Sequence, residues 1–260
     1  MSKKYRIGES RGVQRIVGPD NSDLKKVSFA IIQNSAPEVS PGSTEREESV
    51  LIIMSGHVRV SIKEGPSGEL NRKSVFDEPP SAVYLPPYTN YNIEFIDESE
   101  LALVSCPARG IFRPRFITAG DMRVRRLGED TYRSNLTEIL GEDSSAESLL
   151  VGETISDPGN WSSYPPHKHD VNSPNEESAL EEFYFFKLSP KNGFGIIRVF
   201  DDQEDNLRLI KNNQLVTIPK GYHSVAVIPD HQIYYLWVLA GDNRQVLKSV
   251  HTAFAGRTKK

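Results

Sequence analysis

The segment GNWSSYPPHKHD, residues 159–170, places His167 and His169 on either side of one lysine. In an extended strand, residues i and i+2 point to the same face, so both imidazole rings can reach one ion. An H-x-H pair alone is a weak signal, because polar loops also contain histidine. Two later residues strengthen it: Glu182, which opens the strand-like segment EFYFFKL, and His223, which follows the turn in IPKGYHSV. Three imidazoles and one carboxylate suit Zn, Mn, Fe, Co or Ni.

The choice of Glu182 as the carboxylate rests on strand phase. Twelve residues, DVNSPNEESALE, separate His169 from Glu182, and their composition indicates an inserted loop. This stretch supplies three rival ligands, Glu176, Glu177 and Glu181. Glu182 shares one strand face with Tyr184, whereas Glu181 belongs to the other face. The phase therefore favours Glu182 and predicts that Tyr184 points the same way.

The composition excludes several classes of protein. The 260 residues carry a net charge of −4, with a pI of about 5.9, so the overall balance does not suggest a nucleic-acid-binding surface. Cys106 is the only cysteine, which rules out an intrachain disulfide. The start of the sequence lacks the apolar region of a secretory signal, and no stretch approaches the ~18 apolar residues of a membrane span. We expect a cytoplasmic protein with neither nucleic acid nor membrane as a partner.

The two halves of the chain have a similar texture of short strand-like segments. SVLIIMSGHVRVSI in the first half and EEFYFFKLSPKNGFGIIRVF in the second are each predicted to form a hairpin. AVYLPPYTN matches LVTIPKGYH, which puts Asn90 where His223 stands, and His57 is the lone histidine of the first half. We predict an all-β fold with two domains, residues 1–120 without a metal and residues 121–260 with one. The acidic, serine-rich GEDSSAES, residues 141–148, is the candidate linker, with a loop at the start of the second domain as the equal alternative.

The candidate ligands also follow the cupin metal signature, in which H-x-H, Glu and P-x-G-x-H occur in this order. The blocks LLVGETISDPGNWSSYPPHKHD, LEEFYFF, GFGIIRVF and PKGYHSVAV with YYLWVLAG resemble the 5-deoxy-glucuronate isomerase family (IolB-type) of inositol catabolism. This resemblance implies a bicupin, with two double-stranded β-helix (jelly-roll) barrels in one chain. It implies one divalent ion per chain, Zn or Mn first and Fe, Co or Ni as alternatives. Because cupin relatives often pair, we also expect a homo-oligomer.

The resemblance implies a metal-dependent aldose–ketose isomerase that converts 5-deoxy-glucuronate, a uronic acid, to 5-dehydro-2-deoxy-gluconate. The candidate catalytic residues are Tyr184 and Tyr222. For the substrate carboxylate, Arg198 is the first candidate, since arginine binds carboxylates bidentately, and Arg133 is the second. Lys168 is a third, although strand alternation puts it on the face opposite the two histidines. The alternatives are the related 4-deoxy-5-keto-uronate isomerase, a metal-dependent dioxygenase on the same scaffold, and a sugar-binding cupin without catalysis.

Overall fold

The computed structural model describes residues 2–256, and within them regular structure consists of β-strands and two 3-10 turns. The first half contains β1 (Lys4–Arg6), β2 (Gly12–Val17), β3 (Ser28–Asn34), β4 (Glu38–Ser43), β5 (Glu47–Ile62), β6 (Ser67–Arg72), β7 (Ala82–Leu85), β8 (Asn90–Phe95), β9 (Ser99–Pro107) and β10 (Arg115–Ile117). After a 3-10 turn at Ala119–Asp121, the second half contains β11 (Arg123–Leu127), β12 (Ser134–Leu140), β13 (Leu149–Ser156), β14 (Trp161–Lys168), β15 (Glu181–Ser189), β16 (Gly195–Phe200), β17 (Asp205–Ile210), β18 (Gln214–Ile218), β19 (Tyr222–Val227), β20 (Gln232–Ala240) and β21 (Ser249–Val250), with a 3-10 turn at Thr252–Phe254. The all-β prediction is confirmed. None of the helices in the described residues has the length and apolar character that a bilayer crossing requires.

The chain divides into two compact units, each with a discontinuous sequence. The N-terminal unit comprises Ile7–Met122 and Ile139–Leu149; the C-terminal unit comprises the chain up to Arg6, Arg123–Glu138 and the chain from Leu150 onward. The predicted division at 120/121 therefore needs two changes. β1 belongs with the C-terminal unit because it pairs with β18, and the candidate linker belongs with the N-terminal unit.

One long strand, β5, organises the N-terminal unit. Its first part pairs with β7 and β9, and its second part pairs with β6 and β8. The change of partner occurs near Gly56, whose φ of 96° is a conformation that favours glycine. Apolar side chains of β5 and β8 alternate into the core, among them Val58, Val60, Ile93 and Phe95.

The C-terminal unit contains a seven-stranded sheet, ordered β1-β18-β15-β20-β13-β12-β11, and a five-stranded sheet, ordered β17-β16-β19-β14-β21. One core cluster joins side chains of both sheets, including Tyr184 and Phe186 of β15, Val199 of β16 and Val225 of β19. We call the face of each sheet that carries these residues its inner face. A side chain must point from this face to contribute to a site between the two sheets.

Neither predicted hairpin forms. SVLIIMSGHVRVSI lies within the single strand β5, because the positive φ of Gly56 lets the strand continue through the SG pair. In the second half, β15 and β16 are consecutive but belong to different sheets, so the SPKNG turn crosses between layers. The similar segments in the two halves therefore mark a change of pairing partners and not a hairpin. In the first half one strand, β5, changes partners along its length, and in the second half β15 and β16 lie in different sheets.

A buried carboxylate holds the 141–148 segment in the N-terminal unit. The side chain of Glu48 is fully buried, and its two oxygens accept hydrogen bonds from the backbone N–H groups of Glu147, Ser148 and Leu149 at 2.6–2.8 Å. The Tyr84 hydroxyl donates a fourth bond to it at 2.8 Å. The segment predicted as a linker is therefore anchored to β5.

We expect Glu48→Gln to destabilise the protein by about 3 kcal/mol. Each carboxylate oxygen accepts two hydrogen bonds, and glutamine replaces one of these oxygens with an NH2 group, which would face two hydrogen-bond donors. Tyr84→Phe removes only one of the four bonds and should cost about 1 kcal/mol. Urea unfolding of both variants and the wild type checks this difference. Equal midpoints for Glu48→Gln and the wild type would contradict the anchoring role.

Candidate metal centre

Two neighbouring strands of the five-stranded sheet position the three histidines, of which His169 directly follows the end of β14. His167 near the end of β14 lies directly opposite His223 of β19, and their ring centroids are 4.8 Å apart. His223 in turn pairs with Val199, a core residue of β16, so it lies on the inner face. The preceding turn contains Gly221 with φ 99°, a conformation that explains the glycine of the IPKGYH motif.

Glu182 of β15 reaches the same place from the other sheet. Its Oε2 lies 3.0 Å from His169 Nε2 and 3.2 Å from His223 Nε2. The ligand atoms of these three residues all lie within 4.8 Å of one another. Across residues 2–256, no other group of three His, Cys, Asp or Glu side chains converges in this way. Their residues are only 0–4 % exposed, so the cluster is buried.

Backbone carbonyls orient each imidazole toward the cluster. His167 Nδ1 donates to the Pro165 carbonyl at 3.0 Å, His169 Nδ1 to Leu180 at 2.6 Å, and His223 Nδ1 to Gly221 at 3.1 Å. Such bonds fix the tautomer that leaves Nε2 as the metal ligand.

The residues present fit a divalent ion. Although His223 Nε2 is buried and close to Glu182, it has no properly aligned hydrogen-bond partner among the described residues. An ion would satisfy this nitrogen, and imidazole nitrogens with one carboxylate are ligands that divalent transition metals accept. His167 lies outside the tightest group of ligand atoms, but its ring adjoins that of His223. Its role as the fourth ligand stays a prediction.

Electrostatics within the cluster favour the ionised carboxylate. Burial alone would raise the pKa of Glu182, but His169 and His223 outweigh it and hold that pKa well below its usual range. Desolvation opposes the charged form of His169, yet Glu182 and the Leu180 carbonyl raise its pKa. For His167, burial and the nearby Lys248 lower the pKa well below the ordinary value. The site therefore supplies an anionic oxygen and at least one neutral imidazole, which are the protonation states that metal binding needs.

An aromatic wall adjoins the ligands on the inner face of the seven-stranded sheet. Tyr184, two residues after Glu182, places its ring 5.7 Å from that of His223 and stacks on Tyr235 at 4.6 Å. Its hydroxyl lies 3.1 Å from Ser163 Oγ. Trp237 pairs with Tyr184 across β15 and β20, and its Nε1 is buried without a hydrogen-bond partner in the described part of the chain. Tyr184 thus lies with the candidate ligands, as its phase predicted.

The indole of Trp237 depends on Gly152, because a Cβ at that position would lie 2.1 Å from an atom of the indole ring. Any larger residue there would displace the tryptophan from the wall.

The inserted loop supports the ligands without supplying one. The buried Glu177 accepts hydrogen bonds from Asp170 and Val171 backbone N–H groups and from Lys168 Nζ. Asp170 in turn accepts a bond from the Gly221 N–H at 2.8 Å, which ties the loop to the turn before His223. The other two rivals are also placed elsewhere: Glu176 accepts from Ser173, and Glu181 occupies the alternate position on β15.

Four of the five predicted substrate or catalytic residues are placed otherwise than predicted, and Arg198 and Tyr222 are the first two. Arg198 pairs with Ser224, the residue after His223, which puts it on the opposite face of the sheet, where it binds Asp205 through two bonds of 2.8–2.9 Å. Tyr222 is also on that outer face, with its ring 4.8 Å from His251. The substrate-binding role of Arg198 and the catalytic role of Tyr222 are therefore corrected, because their strand phase directs both away from the ligands.

Lys168 and Arg133 need the same correction. Lys168 alternates with His167 and His169 along β14 and binds Glu177 at 3.0 Å, so it holds the inserted loop rather than a substrate. Arg133 binds Asp157 at 3.6 Å, and Asp157 also pairs with Arg126. Each of these cations already has a carboxylate partner within the protein.

We expect Arg198→Ala to leave KM within about twofold of the wild-type value, since the guanidinium faces the other side of the sheet. Steady-state kinetics on the metal-loaded protein measure it. A tenfold rise in KM with unchanged kcat would show that Arg198 reaches the substrate after all.

Reasoning from the sequence missed two residues beside the cluster. Tyr235 carries a hydroxyl whose pKa burial raises to about 12, and its pairing with Phe186 put it on the inner face. Lys248 lies just before β21, a two-residue strand that pairs with β14. β20 is apolar on both faces, so periodicity did not single out Tyr235, and no local pattern signalled Lys248.

Comparison with known proteins agrees with this geometry. The model of the KduI/IolB family matches residues 3–256. A protein of Halalkalibacterium halodurans named 5-deoxy-glucuronate isomerase is 36% identical over 251 residues, covering 94% of this chain and 93% of its own. The crystal structure of an IolB-like protein from Salmonella typhimurium LT2 superposes with a TM-score of 0.90 at 31% identity, with 96% of each chain covered.

The bicupin prediction is confirmed by a more distant structure. Oxalate decarboxylase of Bacillus subtilis, described with Mn(II) centres, superposes with a TM-score of 0.62 at 12% identity over 96% of this chain and 79% of that one. At this identity the likeness concerns the fold alone. Together with the match over nearly the whole sequence and the buried His–Glu cluster, these comparisons establish that the chain belongs to the KduI/IolB family.

Proposed function

We propose that this protein is a metal-dependent isomerase that converts 5-deoxy-glucuronate to 5-dehydro-2-deoxy-gluconate. The observation that carries the proposal is the convergence of His169, Glu182 and His223 in one buried cluster, in a chain of the family whose curated relatives bear that name. We assign the ion to these three residues and His167, one ion per chain, in the C-terminal unit.

The reaction moves a proton between adjacent carbons of the open-chain sugar. A proton leaves C2 and one arrives at C1, while the O2 proton is lost and O1 gains one, so no external oxidant or reductant takes part. A divalent ion bound at the site supplies Lewis acidity for the negative charge that develops on oxygen. The ligand residues contribute by holding a fixed, buried geometry, which removes the cost of reorganising polar groups during the reaction.

Tyr184 is the residue of this chain placed to handle a proton on a substrate oxygen. Burial raises the pKa of its hydroxyl well above the ordinary value, and the Glu182 carboxylate adds to the effect. The hydroxyl therefore stays protonated and donates. A neutral donor next to the ligands can hydrogen-bond a substrate oxygen and give it a proton as charge develops there.

The ligand chemistry favours Zn or Mn, with Fe, Co and Ni as alternatives. In the N-terminal unit, Asn90 occupies the position that His223 has in its repeat, and His57 binds Glu69 on the surface at 2.9 Å. We propose that this unit holds no metal. The homo-oligomer and the cytoplasmic location stay predictions, and light scattering of the purified protein tests the former.

The test is incubation of purified, metal-loaded protein with 5-deoxy-glucuronate, with the ketose product followed by NMR. Protein stripped by a chelator and then reloaded provides the matched control, and metal analysis gives the stoichiometry. If ketose forms only from 4-deoxy-5-keto-uronate, the substrate assignment is wrong and the assignment as an isomerase stands. Oxygen consumption without ketose would favour a dioxygenase, and binding without turnover of either compound would favour a sugar-binding protein.

A further inference from the structure

Lys248 lies beside the ligand-bearing strand of the C-terminal unit. Across β14 and β21, His167 pairs with Val250 and Lys168 pairs with Ser249. Residues directly opposite each other in an antiparallel pair point to the same face, and the faces alternate along each strand. Lys248, one residue before Ser249, therefore belongs to the face of His167 and Val250, which is the face of the candidate ligands.

Contacts on the other face agree with this phase. His251, which alternates with Val250, packs on the outer residue Tyr222, with ring centroids 4.8 Å apart. The backbone also fixes the segment at both ends, since Ser178 N–H donates to the Leu247 carbonyl and His251 N–H donates to the Pro166 carbonyl. Lys248 is thus held between two backbone anchors with its side chain directed to the ligand side.

One of the charged groups that act on Lys248, Glu182, belongs to the candidate cluster, and the other two, Arg125 and Glu138, lie on β11 and β12. Desolvation of its ammonium and the Arg125 cation lower its pKa, while Glu182 and Glu138 oppose that effect. The residue itself is exposed, so a ligand in solution can reach it.

Among the described residues, Lys248 has no acidic partner at ion-pair distance, unlike the other cations near the site. Arg125 binds Glu138, Lys168 binds Glu177, and Arg133 binds Asp157. Within residues 2–256, Lys248 makes neither an ion pair nor a hydrogen bond. Because Arg125 and Glu138 neutralise each other, Lys248 is the cation that remains available for an anionic ligand.

We propose that Lys248 binds the carboxylate of the uronic acid substrate while the opposite end of the sugar lies against His167, His169, Glu182 and His223. The inference rests on the proposed function, since it takes the substrate to be a uronate. An ammonium and a carboxylate form a charge-assisted hydrogen bond, and such bonds are stronger than neutral ones. A carboxylate anchored by Lys248 fixes which end of an open-chain sugar reaches the buried cluster.

The test measures binding, so it does not depend on turnover. The probe is the alcohol obtained by reducing the aldehyde of 5-deoxy-glucuronate, which keeps the carboxylate but cannot isomerise. Its carboxamide is the neutral counterpart. Calorimetry gives the Kd of both compounds for the metal-loaded wild type, Lys248→Ala, Lys248→Arg and the control Lys211→Ala, whose lysine is exposed elsewhere in the C-terminal unit.

We expect Lys248→Ala to weaken binding of the acid by about tenfold to a hundredfold and to leave binding of the amide unchanged. Lys248→Arg should retain most of the preference for the acid, and Lys211→Ala all of it. Metal content measured on the same samples should equal that of the wild type in every variant.

Two results would overturn the proposal. One is a preference for the acid that survives in Lys248→Ala, even if the wild type is an active isomerase. The other is a wild type that binds acid and amide equally. Conversely, loss of the preference in Lys248→Ala supports a carboxylate anchor even if NMR shows no ketose, in which case the proposed reaction fails and the binding site stands.

Discussion

His223→Ala should lose its metal and its activity together, with metal affinity lowered by more than about a hundredfold and kcat/KM by about a thousandfold or more. The loss of an outer partner that only orients a ligand already costs about tenfold to a hundredfold in affinity, so the loss of a ligand should cost more. Catalysis falls further because the stabilisation of developing charge is lost with the ion. Metal analysis after dialysis against a weak chelator and steady-state kinetics measure the two effects.

His57→Ala is the matched control, since it removes an imidazole of the N-terminal unit that binds the surface residue Glu69. It should keep one ion per chain and wild-type turnover. Because the His223 ring packs on those of His167, His169 and Tyr184, circular dichroism should first establish that His223→Ala is folded. A folded variant that keeps the ion with wild-type affinity would contradict the ligand assignment, as would an ion lost from His57→Ala.

The ligand cluster could be predicted because its determinants are local. The spacing of His167 and His169 and the phase of Glu182 each depend only on the alternation of side chains along one strand. The same phase argument placed Tyr184 correctly. The inserted loop did not disturb these predictions, since its acidic residue Glu177 is used to fold the loop itself.

The position of Arg198 could not be predicted in the same way. GIIRVF contains apolar residues on both strand faces, so periodicity does not reveal which face is the inner one. The answer comes from pairing with β19, where Val199 and not Arg198 lies opposite His223. Register between strands is a nonlocal property, and a shift of one residue exchanges the faces.

Nonlocal pairing also determines which unit β1 and residues 141–148 belong to, and where Lys248 lies. β1 pairs with β18, more than 200 residues later in the chain. The Glu48 carboxylate accepts hydrogen bonds from three backbone N–H groups about 100 residues later. Likewise, Lys248 reaches the ligand side only because the short β21 pairs with β14. Composition and periodicity carry no information about such contacts, whereas they predicted strand content well.

Tyr184→Phe should bind the metal normally but lower kcat by about a hundredfold, since proton transfer by a positioned side chain contributes about that much or more. The substitution removes one hydroxyl and keeps the ring, so stacking on Tyr235 and packing near His223 are preserved. KM should change little if the hydroxyl acts mainly on charge that develops during the reaction. Steady-state kinetics with the metal content of each preparation provide the measurement.

Tyr235→Phe is the matched control, because the two tyrosines stack in the same buried wall and differ mainly in where their hydroxyls lie. The Tyr184 hydroxyl adjoins Ser163 and has Glu182 as its strongest charged neighbour, whereas the polar side chains that act on the Tyr235 hydroxyl are those of Ser162 and Thr154. We therefore expect Tyr235→Phe to keep kcat within about tenfold of the wild type, less than the range of an acid–base residue. If both variants lose activity equally, the wall acts through packing and Tyr184 has no special role. If Tyr184→Phe keeps wild-type kcat, another group must transfer the proton. The assignment of the metal ligands does not depend on that result.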